Sequence, residues 1–99
     1  MDFNEQITYF KKETSEIKEK VNSIENENIK KRTNKWAISF IEFMKTAKLS
    51  DHNCKRFSEK TIDFHKNINW LIDNTETYLE YIEEKYKNQG ESKVVGSFR

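Results

Sequence analysis

Two histidines and one cysteine are the side chains of this chain, apart from carboxylates, of the types that commonly bind a metal ion. His52 and Cys54 lie two residues apart, and His65 follows eleven residues after Cys54. On a helix these intervals place the side chains on different faces, and the spacing matches no common zinc pattern. A reactive cysteine needs a histidine beside it, whereas Cys54 occupies a position in an apolar seam. We therefore predict no catalytic residue and no metal-binding residue.

Other sequence patterns that carry catalysis point the same way. The chain contains no glycine-rich phosphate-binding loop, no nucleophile elbow and no HExxH zinc motif. The acidic pair Glu83-Glu84 has no second pair of carboxylates one helical turn on, as the metal site of a helical-bundle phosphohydrolase would need. These observations predict a protein that is not an enzyme and that uses no cofactor.

Positive charge is concentrated in the middle of the chain, although the formal net charge is only +1. Residues 30–66 contain ten Lys and Arg against four Asp and Glu. In an antiparallel bundle, residues 45–60 form a basic end that could meet phosphates or an acidic protein surface. The alternative is a solvated rim that keeps an apolar region soluble. The predicted partner-binding residues are five of these cations and two aromatic residues off the main stripes: Lys45, Lys48, Lys55, Arg56, Lys60, Trp70 and Tyr81.

Two heptad seams predict the helices that position these residues. One seam runs from Phe3 to Ile24 and the other from Cys54 to Ile82, with apolar or threonine side chains at alternating intervals of three and four. This spacing keeps one stripe directed at a neighbouring helix. The chain has no proline, and both of its glycines come after residue 89. The sequence therefore predicts an all-α fold.

The phase of the apolar stripe predicts where the chain bends. Beyond Ile24 the stripe resumes one residue late, at Ile29, which requires a kink or a short break between residues 25 and 34. Residues 36–49 are apolar over most of their circumference, as expected for the central helix of a bundle. Polar residues around Ser50 and Asp51 predict a turn followed by a helix cap.

We predict a small helical bundle built on a long antiparallel helical hairpin, with a kinked first arm over 3–48, a turn at 49–52 and a long helix over 52–88. Two helices alone cannot bury both broad apolar surfaces. Either the first arm folds into two helices to give a three-helix monomer, or two hairpins pair in a dimeric four-helix bundle. Residues 1–89 form the single domain, Gly90 caps the last helix, and residues 90–99 form a flexible C-terminal tail.

Composition indicates a protein of the cytosol. A single cysteine cannot form an internal disulfide, and the N-terminus lacks the pattern of a signal peptide. Apolar runs are far shorter than the about 20 residues that span a bilayer. We predict cytoplasmic localisation, in a bacterium or in the cytosol of a host cell, and no membrane attachment. The alternative is export by a route that uses no cleaved signal peptide. Richness in Asn, Lys, Glu and Ile favours a low-GC bacterium or its phage.

The predicted function is that of a non-enzymatic protein-binding module that occupies the surface of a partner protein. An inhibitor, immunity protein or regulatory protein of phage or low-GC bacterial type fits the small size, the long helices and the charged surface. The alternative is a nucleic-acid-associated helical protein that uses the basic region 30–66. Self-association into a homodimer is a further expectation, because narrow apolar stripes on long helices need a partner to cover them.

Overall fold

The computed structural model describes the backbone of residues 2–96 and the side chains of residues 2–86. Over these residues the chain forms four α-helices and one short 3-10 helix at Val21–Ser23. Helix accounts for 82% of the structure, and no strand occurs in the described part of the chain. The predicted all-α class is confirmed. We number the α-helices α1 (Phe3–Glu19), α2 (Glu27–Thr46), α3 (Asp51–Thr61) and α4 (Ile68–Gly96).

The four helices run up and down in turn, so that α1 packs against α2 and α4, and α3 packs against the same two helices from the other side. Two ion pairs show that α1 and α4 are antiparallel: Lys11 binds Glu83 at 2.7 Å, and Lys18 binds Glu76 at 3.4 Å. One chain supplies all four helices, which differs from both predicted arrangements, the three-helix monomer and the four-helix dimer. The homodimer stays a prediction.

Aromatic side chains dominate the core along the axis of the bundle. Phe40 of α2 is fully buried, and its ring centroid lies 5.2 Å from that of Phe10 and 5.4 Å from that of Phe57. Tilted and edge-to-face contacts of this kind stabilise more than burial alone. The indole nitrogen Nε1 of Trp36 donates to Oγ1 of Thr14 at 2.9 Å. This bond explains why a threonine occupies a seam position of α1.

The break in the first arm covers residues 20–26, so it begins earlier than the predicted interval of residues 25–34 and overlaps only the start of that interval. α1 ends at Glu19, the 3-10 helix follows, and Asn26 caps α2. Oδ1 of Asn26 accepts hydrogen bonds from the backbone N–H groups of Asn28 and Ile29, at 2.9 and 3.3 Å, which satisfies donors that the start of a helix leaves free. The apolar stripe takes its new phase only at Ile29, which already lies within α2. A prediction based on the phase of the stripe therefore puts the break too late in the chain.

The predicted long helix over 52–88 is wrong, because the chain reverses direction at residues 62–67. The seam crosses this turn in phase since the turn keeps helix-like bonding, with the N–H of Asn67 donating to the carbonyl oxygen of Asp63 at 3.2 Å. The side chain of Asn67 also donates to the carbonyl oxygen of Lys60 at 3.2 Å. Reversal lets α3 cover α2 and α4 cover α1, whereas a single helix of about 55 Å would extend far past α2, of about 30 Å.

The turn between α2 and α3 covers residues 47–50 rather than the predicted 49–52. The N–H of Leu49 donates to the carbonyl oxygen of Met44 at 3.0 Å, and that of Lys48 donates to Lys45 at 3.0 Å, which is the bonding of a Schellman motif. Lys48 takes the left-handed position of this motif with φ of 60°. Oγ of Ser50 accepts from the N–H of Asn53 at 3.2 Å and caps α3, as predicted.

The last helix, α4, continues to Gly96, past the Gly90 at which we predicted its end. Residues 97–99 and the side chains after residue 86 lie outside the described residues, so the flexible tail at 90–99 stays a prediction. Within the described residues, no helix combines the length and the apolar character needed to cross a membrane.

Candidate protein-interaction surface

Charge is divided between the two sides of the bundle. The α2–α3 side, residues 27–61, carries nine Lys and Arg and four Asp and Glu, a net charge of +5. The α1–α4 side, residues 3–19 and 68–86, carries four Lys and Arg and nine Asp and Glu, a net charge of −5. Because α2 packs against α3 and α1 against α4, folding gathers each excess on its own flank.

One cation of α2, Arg32, is engaged inside the chain. Its guanidinium donates to the two carboxylate oxygens of Glu13, at 2.9 and 2.8 Å, and also to Glu16. The hydrogen bond from Arg32 lowers the pKa of Glu13 below its usual value, and the same bond raises the pKa of Arg32. Arg32 therefore joins α2 to α1 and marks the flank of α2 that faces α1.

Two cations of α3 are engaged by an aromatic ring of α4. Cζ of Arg56 lies 5.4 Å and Nζ of Lys60 lies 5.5 Å from the centroid of the Trp70 ring, within the range of a cation–π contact. Trp70 is half-buried, and its ring centroid lies 6.1 Å from that of Phe57. Three of the predicted partner-binding residues thus pack on one another where α3 meets α4.

The other predicted partner-binding residues lie at separate places. Lys45 and Lys55 are exposed, and Nζ of Lys45 lies 3.7 Å from a carboxylate oxygen of Glu42. Lys48 borders a cleft of about 240 Å³ that opens between α1, α2 and α4 at the turn end of the bundle. Tyr81 is 54% exposed on α4. The seven predicted residues therefore face several sides of the bundle, although Lys45, Lys48 and Lys55 all lie near the turn at 47–50. Their role in binding stays a prediction.

Exposed residues of α2 form a line on the side away from α1. Lys31, Ile38 and Lys45 follow one another at intervals of seven, and each is exposed. Residues seven apart stay on one line along a helix with a drift of only about 20°. At about 100° per residue, the three lie about 100–140° around the helix from Arg32, which faces α1. The line therefore points outward from the bundle.

A shorter line on α3 points the same way. Arg56 and Lys60 face α4, and Lys55 and Ile62 lie about 100–160° around the helix from them. Lys55 and Ile62 are also seven residues apart, and both are exposed. Together the two lines define what we call the outer face, which consists of Lys31, Ile38, Lys45, Lys55 and Ile62.

Two isoleucines of the outer face lie at the surface, although isoleucine is usually buried in folded proteins. Ile38 is 51% exposed and Ile62 is 86% exposed. A signal was present for Ile38, because its neighbours one heptad away in both directions, Lys31 and Lys45, are lysines. A position whose heptad neighbours are charged lies on the solvent side of a helix.

The opposite side of the bundle presents carboxylates. Glu76 and Glu83 of α4 are paired with lysines of α1. Asp73, Glu80 and Glu84 are exposed on α4 and form no ion pair with a described residue. The −5 charge of this side is therefore only partly neutralised within the chain.

His52, Cys54 and His65 form no common site. Cys54 is buried with its Sγ 3.9 Å from the carbonyl oxygen of Leu49, and burial raises the pKa of the thiol, which disfavours the reactive thiolate. Nε2 of His65 lies 3.1 Å from a carboxylate oxygen of Glu25, joining the two loops at the far end of the bundle. Among the described residues, no group of three or more His, Cys, Asp or Glu side chains could hold a metal ion.

Comparison with known proteins finds no match to this chain among protein-family models, curated proteins or solved structures. The charge and the exposed apolar side chains of its surface are therefore the basis for inferring its function.

Proposed function

We propose that this protein is a non-enzymatic protein-binding module that acts by occupying an acidic surface of a partner protein. The observation that carries this proposal is the division of charge, which leaves +5 on the α2–α3 side. Arg32, Arg56 and Lys60 are engaged within the chain. The lysines of the outer face are exposed, and Lys31 and Lys55 form no ion pair with a described residue.

Rigid support for these lysines favours binding. The helices that carry them are held by the core contact between Phe40 and Phe57 and by the capped turn at 47–50. A preorganised surface loses little conformational freedom when it binds. Exposed charges of one sign accelerate association with a surface of opposite charge and disfavour partners of like charge. The role that we propose for this chain is that of an inhibitor, immunity protein or regulator of phage or low-GC bacterial type that works in the cytosol and binds its partner through this surface.

Charge reversal on the outer face tests the proposal. The double variant Lys45→Glu/Lys55→Glu changes two exposed lysines of that face. The matched control Lys12→Glu/Lys66→Glu makes the same change in net charge at exposed positions elsewhere. Affinity capture from a low-GC bacterial lysate, read by mass spectrometry, should recover a partner with the wild type and the control and lose it with the outer-face variant. Both variants should keep the wild-type circular dichroism spectrum.

Salt dependence and the nature of the captured molecule complete the test. Binding through exposed charges should weaken as salt shortens the range of electrostatic attraction to below about 8–10 Å. A partner that stays bound to the outer-face variant would contradict the proposal. Capture of DNA or RNA alone, with a steep dependence on salt from released counterions, would instead establish the nucleic-acid alternative.

A further inference from the structure

We infer that the segment recognised by the outer face is an acidic amphipathic helix, which lies along α2 and α3 with its apolar stripe on Ile38 and Ile62. This partner class rests on the proposed function and deepens it from an acidic surface to a specific kind of element. Two features of the outer face, its exposed isoleucines and the lysines around them, carry the inference.

The isoleucines form the apolar part of the surface. Isoleucine is among the residues most often buried in proteins, yet Ile38 is 51% exposed and Ile62 is 86% exposed. Ile38 lies nine residues before Ala47 and Ile62 lies twelve residues after Ser50, on antiparallel helices joined by that turn. These separations place them about 14 and 18 Å from the turn along the helices. One partner element can therefore contact both.

The lysines bracket this apolar pair along the axis of the bundle. Lys45 and Lys55 lie between the isoleucines and the turn, and Lys31 lies beyond Ile38. Lys31 and Lys45 are fourteen residues apart, which corresponds to about 21 Å along α2. A partner helix of about 14 residues spans this distance. Its complement is an apolar stripe flanked by Asp and Glu.

The same pattern disfavours other kinds of partner. A nucleic-acid backbone offers phosphates to the lysines, but its charged surface has no apolar ridge to cover two isoleucines. An extended peptide that adds a strand needs an unpaired sheet edge, and the described residues contain no strand. An acidic amphipathic helix can cover the two exposed isoleucines with its apolar face and pair its carboxylates with the surrounding lysines.

Two synthetic peptides of about 21 residues, or three heptads, test the inference directly. Both contain the same numbers of Glu, Ala and Leu. The first places its leucines on one helical stripe, and the second distributes them around the helix. Fluorescence anisotropy of each labelled peptide with the full-length protein at low salt should show that the striped peptide binds about tenfold tighter or more.

Three variants assign the binding to side chains. Ile38→Ser/Ile62→Ser should lower the affinity for the striped peptide by about tenfold and leave the affinity for the second peptide unchanged, because the variant removes apolar contact with the stripe. Both isoleucines are exposed, so their replacement does not disturb the core. Lys45→Glu/Lys55→Glu should weaken both peptides. The control Tyr9→Ser removes an exposed aromatic side chain from α1, on the α1–α4 side, and should bind like the wild type.

The outcomes separate the inference from the proposed function. Equal binding of the two peptides, with no effect of the isoleucine variant, would overturn the amphipathic helix while leaving an acidic partner in place. Failure of the wild type to bind the striped peptide at low salt would also overturn it. The proposed function would fall in addition only if the outer-face charge variant still captured the same cellular partner as the wild type.

Discussion

Replacement of Thr33 by valine should stabilise the bundle. The hydroxyl of Thr33 is fully buried in α2 and has no hydrogen-bond partner among the described residues. Valine has nearly the same shape, with a methyl group in place of the hydroxyl, and the helix propensities of the two residues are close. The substitution therefore removes a desolvated polar group without opening a cavity.

The expected gain follows from the cost of a buried, unpaired hydroxyl, which is about 1–3 kcal/mol. We expect about 1 kcal/mol, at the lower end, because a threonine hydroxyl within a helix lies near the carbonyl oxygen of the preceding turn and recovers part of the cost. For a domain of this size that free energy corresponds to a rise in Tm of about 4–8 °C. Thr75 of α4 is also buried and unpaired, so Thr75→Val should give a similar rise.

Thr14 supplies the matched control, because it is buried in the same way but its hydroxyl is used. Its Oγ1 accepts the indole N–H of Trp36 at 2.9 Å. Thr14→Val leaves that N–H buried without an acceptor and should cost about 1–3 kcal/mol. Thermal unfolding followed by far-ultraviolet circular dichroism measures all three proteins. A destabilised Thr33→Val variant would show that the Thr33 hydroxyl has a partner, and would refute the reasoning.

Three further predictions follow from the turn, the α1–α2 ion pair and the core. Lys48→Gly should stabilise the protein by about 0.5–1 kcal/mol, because glycine adopts a positive φ without strain. Lys35→Gly, at an exposed position in the middle of α2, should instead cost about 1 kcal/mol. Urea titration gives both values, and a destabilised Lys48→Gly variant would contradict the strain at position 48. Arg32→Met should cost about 1 kcal/mol at neutral pH. Because Arg32 lowers the pKa of Glu13 in the folded state, this contribution is present above the usual Glu pKa and is lost as pH falls through the lowered value. The two proteins should therefore converge in stability once the pH lies below the lowered pKa of Glu13, and a difference that stays constant with pH would count against the ion pair. Phe40→Ala should cost about 3–5 kcal/mol in the same titration, and a loss below about 1 kcal/mol would place Phe40 outside the core.

The spacing of apolar residues along the chain predicted much of the fold. The seams identified Ile7, Phe10, Phe57 and Leu71 as core residues, and all four are buried. Their positions follow from the repeat of a helix, which depends only on neighbours within a few turns. The same spacing predicted the breaks between helices less accurately. Stripe phase responds to a break only after the new helix has begun, and a turn with helix-like bonding at 62–67 leaves no phase change at all.

The candidate site was harder to predict than the core. The composition of residues 30–66 shows their excess of positive charge. It does not show which of these Lys and Arg side chains contact other residues of the chain and which stay exposed. Arg56 and Lys60 lie over Trp70 because α4 folds back beside α3, which the predicted continuous helix could not show. Ile62 falls outside the core for the same reason, since it lies at the end of α3, where the chain turns.

By itself, the sequence determined the helical class, the spacing of the core residues and the amounts of positive and negative charge, because these depend on residue type and on intervals of three and four. The tertiary structure alone decided which helices are neighbours. That choice converts an uneven charge along the chain into two oppositely charged flanks of +5 and −5. It also separates cations that pair within the chain from the lysines and isoleucines left on the outer face, because a side chain is engaged or exposed according to the helix packed beside it.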